Sequence, residues 1–380
     1  MRIAVVYDCL YPHTVGGAER WLAALVEDLA RDHDVTYVTR RQWDRAETDP
    51  MPGARVAAVS GGGALYAPGG RRRALPPLLF GLGVLRHFVG HRRDYDVVHC
   101  VSFPYFALIA VRAALAGTGT RVIVEWLEHW TDAYWRSYAG RAGGLAGAAV
   151  QRLCLALTPA AVVFSRMNEG RLRAAGFDGP VELLPGLYSG SPPPPAPAAA
   201  PPRALFMGRH IPEKRVTVVP RAVALAHERL PELRATILGD GPERPRVAAT
   251  VAELGLGASV EVPGFVSAER LADELAGAAC LVAPSVREGH GMVVVEAAAA
   301  GVPVVVCRHP DNAAVELVEQ GVNGYVADGE TPAALAEAIV RAVEGGERLR
   351  ASTRDWFARH AQERSAAASI RRLRELYATR

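Results

Sequence analysis

Lysine is almost absent from this sequence of 380 residues: Lys214 is the single lysine among 43 basic residues, and the rest are arginine. Such a bias is typical of a GC-rich coding sequence and indicates a bacterial source. A position that still carries lysine is then expected to need a compact ammonium charge in place of a planar guanidinium. Lys214 is therefore a candidate functional residue before any motif is considered.

Cysteine is scarce, and the net charge is small. The five cysteines are scattered and show no C-x-x-C spacing, which argues against a disulfide framework or a structural zinc site and favours a reduced, cytoplasmic protein. A net charge of +3 argues against a dedicated nucleic-acid-binding protein. The opening M-R-I-A-V-V-Y has no charged leader or long apolar core, so we interpret it as the first strand of a sheet.

No apolar run has the features expected of a transmembrane helix. The best candidate, residues 74–90, has 17 residues and contains a proline pair and Arg86. Arginines flank it at positions 71–73 and 92–93. Two interpretations stay open: a partly buried helix with basic ends, which the sequence favours, and a peripheral membrane contact through residues 71–93.

Apolar segments of strand length and helix length alternate along most of the chain. This alternation predicts an α/β protein whose parallel sheets are covered by helices on both faces. The stretch 186–202 is rich in proline and alanine, so we interpret it as an extended linker. We therefore predict an N-terminal domain over residues 1–185, a C-terminal domain over 203–360, and a last helix within 361–380.

The most informative stretch is P-S-V-R-E-G-H-G-M-V-V-V-E-A-A-A-A-G-V-P-V-V-V, residues 284–306. Its pattern predicts a turn after a buried strand and then a helix that begins near Gly291. Unpaired N–H groups at the start of a helix favour an anionic ligand, and Gly289 and Gly291 let such a ligand approach the backbone. Glu288 in the turn can accept hydrogen bonds from hydroxyl groups, and Glu296 lies farther along the helix. Paired carboxylates beside free amides suit a sugar nucleotide.

Two other loops follow predicted strands. Gly16 and Gly17 precede a helix, so backbone amides there could face a phosphate. Arg209 and Lys214 form a cationic pair just past the strand that opens the second domain. Such a pair can stabilise a diphosphate leaving group as its negative charge grows. The alternative for this second loop is a surface loop with two exposed cations.

The segment E-W-L-E-H-W-T-D-A-Y-W, residues 125–135, is dense in aromatic and ionisable groups just past a strand end. An α/β sheet places ligands at that end of its strands, and aromatic rings suit the apolar faces of a sugar. Glu128 and Trp130 are therefore candidates for the acceptor side of a site. The alternative is a packing loop between domains. The D-Y-D run at 94–96 instead enters a strand, so we expect it to be structural and not metal-binding.

Together these motifs resemble the family-four retaining glycosyltransferases of the GT-B fold, the glycogen synthase-like group also described as glycosyl transferases group 1. The resemblance rests on E-G-x-G with a second glutamate after it, on G-x-P-V-V, and on G-R-x-x-x-x-K at 208–214, where Arg215 replaces the usual glycine. It implies two Rossmann-like, doubly wound parallel-sheet domains that face each other across a cleft. It also implies that the C-terminal helix crosses back to the first domain.

The resemblance further implies roles for individual residues. Arg209 and Lys214 would stabilise the diphosphate, Glu288 would bind donor-sugar hydroxyls, and Glu296 would hold the ribose. The turn around Gly264 would hold the nucleobase. The implied donor-binding set comprises Gly16, Gly17, Gly208, Gly264, Phe265, Val266, Glu288, Gly289, His290, Gly291, Met292, Val293 and Glu296.

Members of the family commonly carry a histidine beside the reacting sugar. In the alignment that we prefer, this histidine falls on Leu127, Glu128 stays in register and His129 is displaced by two positions. Either His129 takes the catalytic role from a shifted loop, or the enzyme works without it.

By resemblance, the reaction moves a sugar from a UDP- or GDP-sugar to a hydroxyl of a small-molecule, glycan or lipid-linked acceptor, with retention of anomeric configuration. No metal ion and no other cofactor is implied. Two alternatives stay open. One is a different GT-B enzyme, such as a sugar-nucleotide epimerase or a phosphorylase, and the other is a non-catalytic sugar-nucleotide-binding subunit.

Overall fold

The computed structural model describes residues 1–43, 51–65 and 73–379. These residues form two compact units. Unit 1 comprises the described residues of 1–189 together with 365–379, and unit 2 comprises 190–364. The chain thus passes from unit 1 to unit 2 within the predicted linker and returns to unit 1 after residue 364.

The secondary structure of the described residues alternates between strands and helices, as the sequence predicts. The strands are β1 (Arg2–Val6), β2 (Asp34–Arg40), β3 (Arg55–Ser60), β4 (Val97–Val101), β5 (Arg121–Glu125), β6 (Ala161–Val163), β7 (Val181–Leu183), β8 (Arg203–Met207), β9 (Arg234–Leu238), β10 (Val260–Gly264), β11 (Cys280–Ala283), β12 (Val304–Cys307) and β13 (Gly324–Ala327). The helices are α1 (Gly17–Leu29), α2 (Leu75–Gly90), α3 (Tyr105–Ala114), α4 (Asp132–Ala156, broken at Gly140), α5 (Arg166–Ala174), α6 (Val218–Ala226), α7 (Arg244–Glu253), α8 (Ala268–Gly277), α9 (Met292–Ala299), α10 (Pro332–Glu344), α11 (Gly346–Arg364) and α12 (Ala366–Ala378). Short 3₁₀ turns lie at Pro212–Lys214 and Ala313–Leu317.

Each unit contains one parallel sheet. Within the described residues, the sheet of unit 1 has the strand order β3-β2-β1-β4-β5-β6-β7, and that of unit 2 has the order β10-β9-β8-β11-β12-β13. In both, the first strand lies inside the sheet and the chain winds outward first on one side and then on the other. This is the doubly wound arrangement, so the predicted fold class is confirmed.

The inner strands are buried because their apolar runs have no polar alternation. Ile3, Ala4, Val5 and Val6 of β1 have no exposed surface, and the same holds for Val304, Val305 and Val306 of β12. A parallel strand covered by helices on both faces needs such a run.

The last helix, α12, belongs to unit 1. Its Tyr377 hydroxyl lies 2.7 Å from Nδ1 of His99, whose Nε2 lies 3.0 Å from Oε2 of Glu125. The same carboxylate oxygen accepts a hydrogen bond of 2.8 Å from the indole N–H of Trp21. Arg374 adds an ion pair of 2.7 Å with Asp28. These groups tie α12 to α1, β4 and β5.

The boundary before α12 differs from the sequence prediction. We predicted one helical segment within 361–380, but α11 runs to Arg364 in unit 2, and Ser365 then caps α12 by accepting a hydrogen bond from the N–H of Ala368. A serine N-cap satisfies a backbone donor that the start of a helix leaves unpaired. The polar serine is therefore a helix start and not part of a continuous helix.

The second half of the linker is fixed to unit 2 by a buried arginine. The Arg350 guanidinium is 1% exposed as a side chain and donates to the carbonyl oxygens of Ala196 at 2.7 Å, Ala276 at 2.9 Å and Ala278. Several carbonyl partners offset the loss of water around a buried cation. Residues 190–198 have no regular secondary structure, but this contact holds them against the unit.

Two further predictions about unit 1 can be compared with the structure. The D-Y-D run has a structural contact, since Asp96 pairs with Arg2 at 2.8 Å and this pairing lowers the pKa of the Asp96 carboxyl. Among the described residues, no helix combines the length and the apolar character needed to cross a bilayer.

Candidate active site

The predicted donor-binding residues of unit 2 follow the carboxyl ends of its strands. The chain winds from β8 through β9 to β10 on one side and continues with β11 on the other side of β8, so β8 and β11 are neighbours at the switch point of the sheet. Lys214 follows β8, and Glu288 follows β11. Sheets of this kind bind ligands in the crevice outside such a switch point.

Lys214 and Glu288 meet there, although 74 positions separate them in the sequence. The Lys214 ammonium group donates to Oε1 of Glu288, and the Ser285 hydroxyl donates to the same oxygen at 2.8 Å. The two charged side chains are 21% and 13% exposed, so the pair is accessible to a ligand but shielded from bulk water. A backbone hydrogen bond of 3.0 Å from Val286 to Glu213 joins the two loops.

A buried asparagine that the sequence analysis missed positions the turn before α9. Asn312 is 1% exposed. Its amide group donates to the carbonyl oxygens of Ser285 at 3.0 Å and Cys307 at 2.9 Å, and its Oδ1 accepts from the N–H of Ala314 at 3.1 Å. The sequence signal that could have identified it was an asparagine shortly after a strand, where asparagine side chains often hydrogen-bond to the backbone of a turn. The partners that give it this role are brought together only by the fold.

The start of α9 requires glycine. Gly291 has φ +102°, and a Cβ at this position would lie 2.7 Å from Cβ of Ala314. Farther along, Met292, Val293 and Glu296 are half-buried, whereas Val294 and Val295 are buried. The predicted donor-binding side chains of α9 therefore share its more exposed side. Glu288 and Gly289 are also half-buried, and His290 is buried at 7% exposure.

Close backbone packing joins the loops after β8, β9 and β10. A Cβ at Gly239 would lie 1.9 Å from the carbonyl oxygen of Gly208, so no other residue fits there. The N–H of Gly239 donates to the carbonyl oxygen of Gly264 at 2.9 Å. Phe265, which follows, is 76% exposed, and Val266 is half-buried. An aromatic ring this exposed at the ligand-binding end of a sheet is available for stacking.

The basic loop after β8 contains an unusual backbone conformation. Among the described residues, Arg215 is the one residue other than glycine with positive φ, at +49°. The positive φ explains why the family pattern has glycine at this position, since a residue with a side chain is strained in the left-handed region. The Arg215 guanidinium donates to the carbonyl oxygen of Glu330 at 2.8 Å, which offsets part of that strain. Arg209 of the same loop is exposed, and Gly208 is half-buried.

In unit 1, the predicted phosphate-facing glycines lie at the start of α1. Gly16 is the N-cap residue with an extended backbone, and Gly17 is the first residue of the helix. A Cβ at Gly16 would lie 2.3 Å from Oε2 of Glu19, an acid in the first turn. Both glycines are half-buried.

The loop after β5 is organised by Gln151 of α4, which the sequence analysis also missed. Gln151 is 2% exposed. Its Oε1 accepts from the N–H of Trp130 at 3.0 Å, from the Tyr105 hydroxyl at 2.8 Å and from the Trp135 indole at 3.2 Å. Its amide group donates to the carbonyl oxygen of Trp130 at 2.8 Å and lies 3.1 Å from Nε2 of His129.

His129 is packed into unit 1. The residue is 8% exposed, and its backbone N–H donates to Oδ1 of Asn168 at 2.7 Å. Burial lowers the pKa of its imidazole to about 4. The ring is therefore neutral at pH 7 and can accept a hydrogen bond from Gln151. These contacts favour a structural role for His129. Its catalytic role stays a prediction.

Trp130 and Glu128 lie in an aromatic cluster. The Trp130 indole N–H donates to Oε2 of Glu128 at 3.2 Å. Its ring lies 4.8 Å from Tyr134 and 5.1 Å from Tyr138 between ring centroids, and 5.7 Å from Phe103. All five residues are half-buried, so the cluster combines apolar ring faces with polar edges.

We expect Gln151→Leu to lower the free energy of unfolding of unit 1 by about 2–4 kcal/mol. The change leaves two buried donors and a backbone amide without their acceptor, and each such group costs about 1–3 kcal/mol. Denaturant unfolding followed by tryptophan fluorescence measures this, because every tryptophan except Trp356 lies in unit 1.

The control for this experiment is Glu253→Leu, an exposed site on α7 of unit 2. It should change the fluorescence transition little. An unfolding transition of Gln151→Leu that coincides with the wild-type transition would show that Gln151 does not organise the loop.

Within the described ranges, no group of three or more histidine, cysteine, aspartate or glutamate side chains is placed to hold a metal ion.

Comparison with protein families places this arrangement in a known class. The chain has the GT-B fold of solved glycosyltransferase structures, with one doubly wound sheet in each unit. The family model described as "Glycosyl transferases group 1" matches residues 193–361, and the model described as "Glycosyl transferase 4-like domain" matches residues 16–186. The two matches cover nearly all of both units. Residues 193–361 thus belong to the glycosyl transferases group 1 family, and residues 16–186 to the glycosyl transferase 4-like family.

Among curated proteins, this chain is similar to D-inositol 3-phosphate glycosyltransferase from Streptomyces griseus, with 37% identity over 38% of this chain and 32% of that protein. It is also similar to alpha-D-kanosaminyltransferase from Streptomyces kanamyceticus, with 30% identity over 38% of this chain and 37% of that protein. The match thus spans about a third of the length of these curated relatives.

Solved structures share the fold at low sequence identity. Sucrose-phosphate synthase from Thermosynechococcus elongatus superposes with a TM-score of 0.80 at 19% identity, over 99% of this chain and 98% of that chain. Anabaena HepE, solved in complex with UDP and glucose, gives a TM-score of 0.71 at 18% identity over 99% of both chains.

Proposed function

We propose that this protein is a retaining glycosyltransferase that moves a sugar from a UDP- or GDP-sugar to an acceptor hydroxyl. The observation that carries the proposal is the Lys214–Glu288 pair, which joins the loops after β8 and β11 at the switch point of unit 2. The family membership and the UDP and glucose in the solved HepE complex support a nucleotide diphosphate sugar as donor.

In this proposal the diphosphate contacts Lys214, the cationic member of the pair. Negative charge grows on the leaving diphosphate as the bond to the sugar breaks, and a fixed ammonium group stabilises that charge more in the transition state than in the ground state. Glu288, whose Oε1 also accepts a hydrogen bond from the Ser285 hydroxyl, holds the Lys214 ammonium in place before the donor binds. The exposed guanidinium of Arg209, on the same loop, adds a second cation.

The other residues of the proposed donor site are assigned to parts of the nucleotide sugar by their chemistry. Glu288 is acceptor-only when ionised, so it suits hydroxyls of the donor sugar, and the half-buried Glu296 suits the ribose hydroxyls. The backbone of Gly289 and Gly291 lets the sugar lie close to the start of α9. Phe265 and the backbone of Gly264 and Val266 bind the nucleobase.

The proposed step is attack on the face from which the diphosphate departs. The anomeric carbon loses its bond to the diphosphate oxygen and gains a bond to the acceptor oxygen on the same face. The acceptor proton goes to the leaving diphosphate oxygen. No carboxylate of this chain is singled out as a nucleophile, and the proposed reaction requires no metal ion.

Acceptor binding is assigned to unit 1. The half-buried rings around Trp130 suit the apolar face of a sugar or another ring, and Glu128 can accept a hydrogen bond from a hydroxyl. The inositol 3-phosphate in the name of one relative supports a ring-bearing acceptor without selecting one. Gly16 and Gly17, at the start of α1, belong instead to the proposed donor-binding set and provide backbone amides suited to the donor phosphate.

A thermal-shift screen against UDP, GDP, ADP and their common sugars tests this proposal. A ligand that binds only the folded state stabilises it by about 2.7 kcal/mol at a concentration of one hundred times Kd. We expect a selective rise in melting temperature with one nucleotide, which persists with a chelator in place of magnesium. The anomeric configuration of the sugar released from that donor by slow hydrolysis then tests retention.

A folded protein whose melting temperature does not respond to any of these nucleotides would contradict the proposal. Binding without any hydrolysis or transfer would instead favour the alternative of a non-catalytic sugar-nucleotide-binding subunit.

A further inference from the structure

Helix α2 of unit 1 has apolar residues on two opposite sides. Phe80, Val84 and Phe88 are fully buried on one side. Glycine allows close packing on this side, since a Cβ at Gly81 would lie 2.7 Å from Cβ of Phe106 on α3, and one at Gly83 would lie 2.2 Å from the carbonyl oxygen of Val59 on β3. This side of α2 therefore forms part of the core.

The opposite side is exposed and almost as apolar. Leu75, Leu78, Leu79, Leu82 and Val89, which we call the leucine stripe, are between 41% and 62% exposed. Their spacings of three, four and seven residues place them on one side of the helix, along about 20 Å. Single exposed leucines are ordinary, whereas a contiguous stripe marks an interaction surface.

The chain around the leucine stripe is basic. The sequence has no aspartate or glutamate between Asp49 and Asp94, and the same stretch contains Arg55, Arg71, Arg72, Arg73, Arg86, Arg92 and Arg93. Arg71 and Arg72 lie outside the described residues. Of the others, Arg73 precedes α2, Arg86 lies between Leu82 and Val89 on the stripe, and Arg92 and Arg93 follow the helix; all four are exposed.

We propose that the leucine stripe docks in the interface of an anionic membrane, with α2 lying in the plane of the bilayer. The leucines enter the boundary between headgroups and acyl chains, and the arginines pair with anionic headgroups. The charge pattern favours lipid over a second copy of this chain, because a symmetric dimer through this surface would place two basic stretches without acidic residues against each other. The sequence favoured a partly buried helix and left a peripheral membrane contact open, and in the structure one side of α2 is buried while the other is exposed.

Vesicle co-sedimentation of the full chain tests the proposal. We expect binding to phosphatidylcholine vesicles that contain phosphatidylglycerol, weak binding to pure phosphatidylcholine, and weaker binding as salt is added. The variant L78Q/L82Q should reduce partitioning about tenfold or more. The variant R86Q/R93Q should reduce it by roughly tenfold to thirtyfold, because each arginine near an anionic surface contributes about fivefold.

Matched variants control for surface changes in general. L145Q/L153Q replaces two exposed leucines of α4, and R221Q/R234Q replaces two exposed arginines of unit 2; both should bind vesicles as the wild type does. Melting temperatures close to that of the wild type exclude unfolding as the cause of lost binding. The assay contains no nucleotide, so its result is independent of donor binding.

Three results would overturn the proposal. The first is a wild-type protein that does not bind anionic vesicles, and the second is an L78Q/L82Q variant that binds them as strongly as the wild type. The third is a concentration-dependent dimer in light scattering that L78Q/L82Q abolishes, which would show that a second copy covers the leucine stripe.

Discussion

Lys214→Ala is expected to lower turnover by about 10²–10³-fold, the usual effect of removing one group that stabilises charge in a transition state. The ammonium group contacts Glu288 at the switch point of unit 2, where the leaving diphosphate gains its charge in the proposed reaction. Side-chain truncation at a site that is partly exposed should leave the fold intact. Turnover with the donor identified by thermal shift tests the first expectation. The melting temperature of the variant tests the second.

Lys214→Arg sharpens this test. It keeps the charge but replaces a compact ammonium with a planar fork, so we expect it to recover only part of the lost turnover. Arg221→Ala, an exposed cation on α6 of the same unit, is the matched control and should retain wild-type turnover. Near-normal turnover in Lys214→Ala would rule out the diphosphate assignment.

Glu288→Gln is expected to lower turnover by roughly tenfold to a hundredfold, since a hydrogen bond to a charged group contributes about 1.5–3 kcal/mol. The amide keeps the shape of the side chain but loses the charge that holds Lys214 and accepts hydroxyl groups. The effect should appear in kcat/KM for the natural donor sugar. It should be smaller for binding of the nucleoside diphosphate alone, which lacks the sugar.

Glu253→Gln, an exposed carboxylate on α7, is the matched control and should leave kcat/KM unchanged. The double variant K214A/E288Q measures the coupling of the pair. Because the two side chains are in contact, its loss should be smaller than the sum of the single losses on a free-energy scale. Additive losses would indicate that Lys214 and Glu288 act independently.

Local patterns predicted most of the fold correctly. The uninterrupted apolar run at Ile3–Val6 and the alternation that follows predicted parallel sheets, because burial on both faces requires such runs. The position of Gly291 predicted the start of α9, which the structure places at Met292. Arg215 stood out as a departure from the family pattern, and its φ of +49° supplies the physical reason.

Other features could not be predicted, because they depend on residues that are distant in sequence. Asn312 and Gln151 each gain their role from three or more partners that the strand order brings together. His129 was predicted as a possible catalyst from the resemblance to the family, in place of the histidine that falls on Leu127. Its burial against Asn168 and Gln151 is visible only in the fold.

The sequence by itself determined the two-sheet architecture, the family and the candidate donor residues, because periodicity, glycine placement and charge spacing act over short stretches of chain. The tertiary structure alone decided that Lys214 contacts Glu288 and that α2 leaves one apolar side exposed. The physical reason is that side-chain contacts and burial follow from the strand order and the packing of each helix, and no local pattern encodes which distant groups become neighbours.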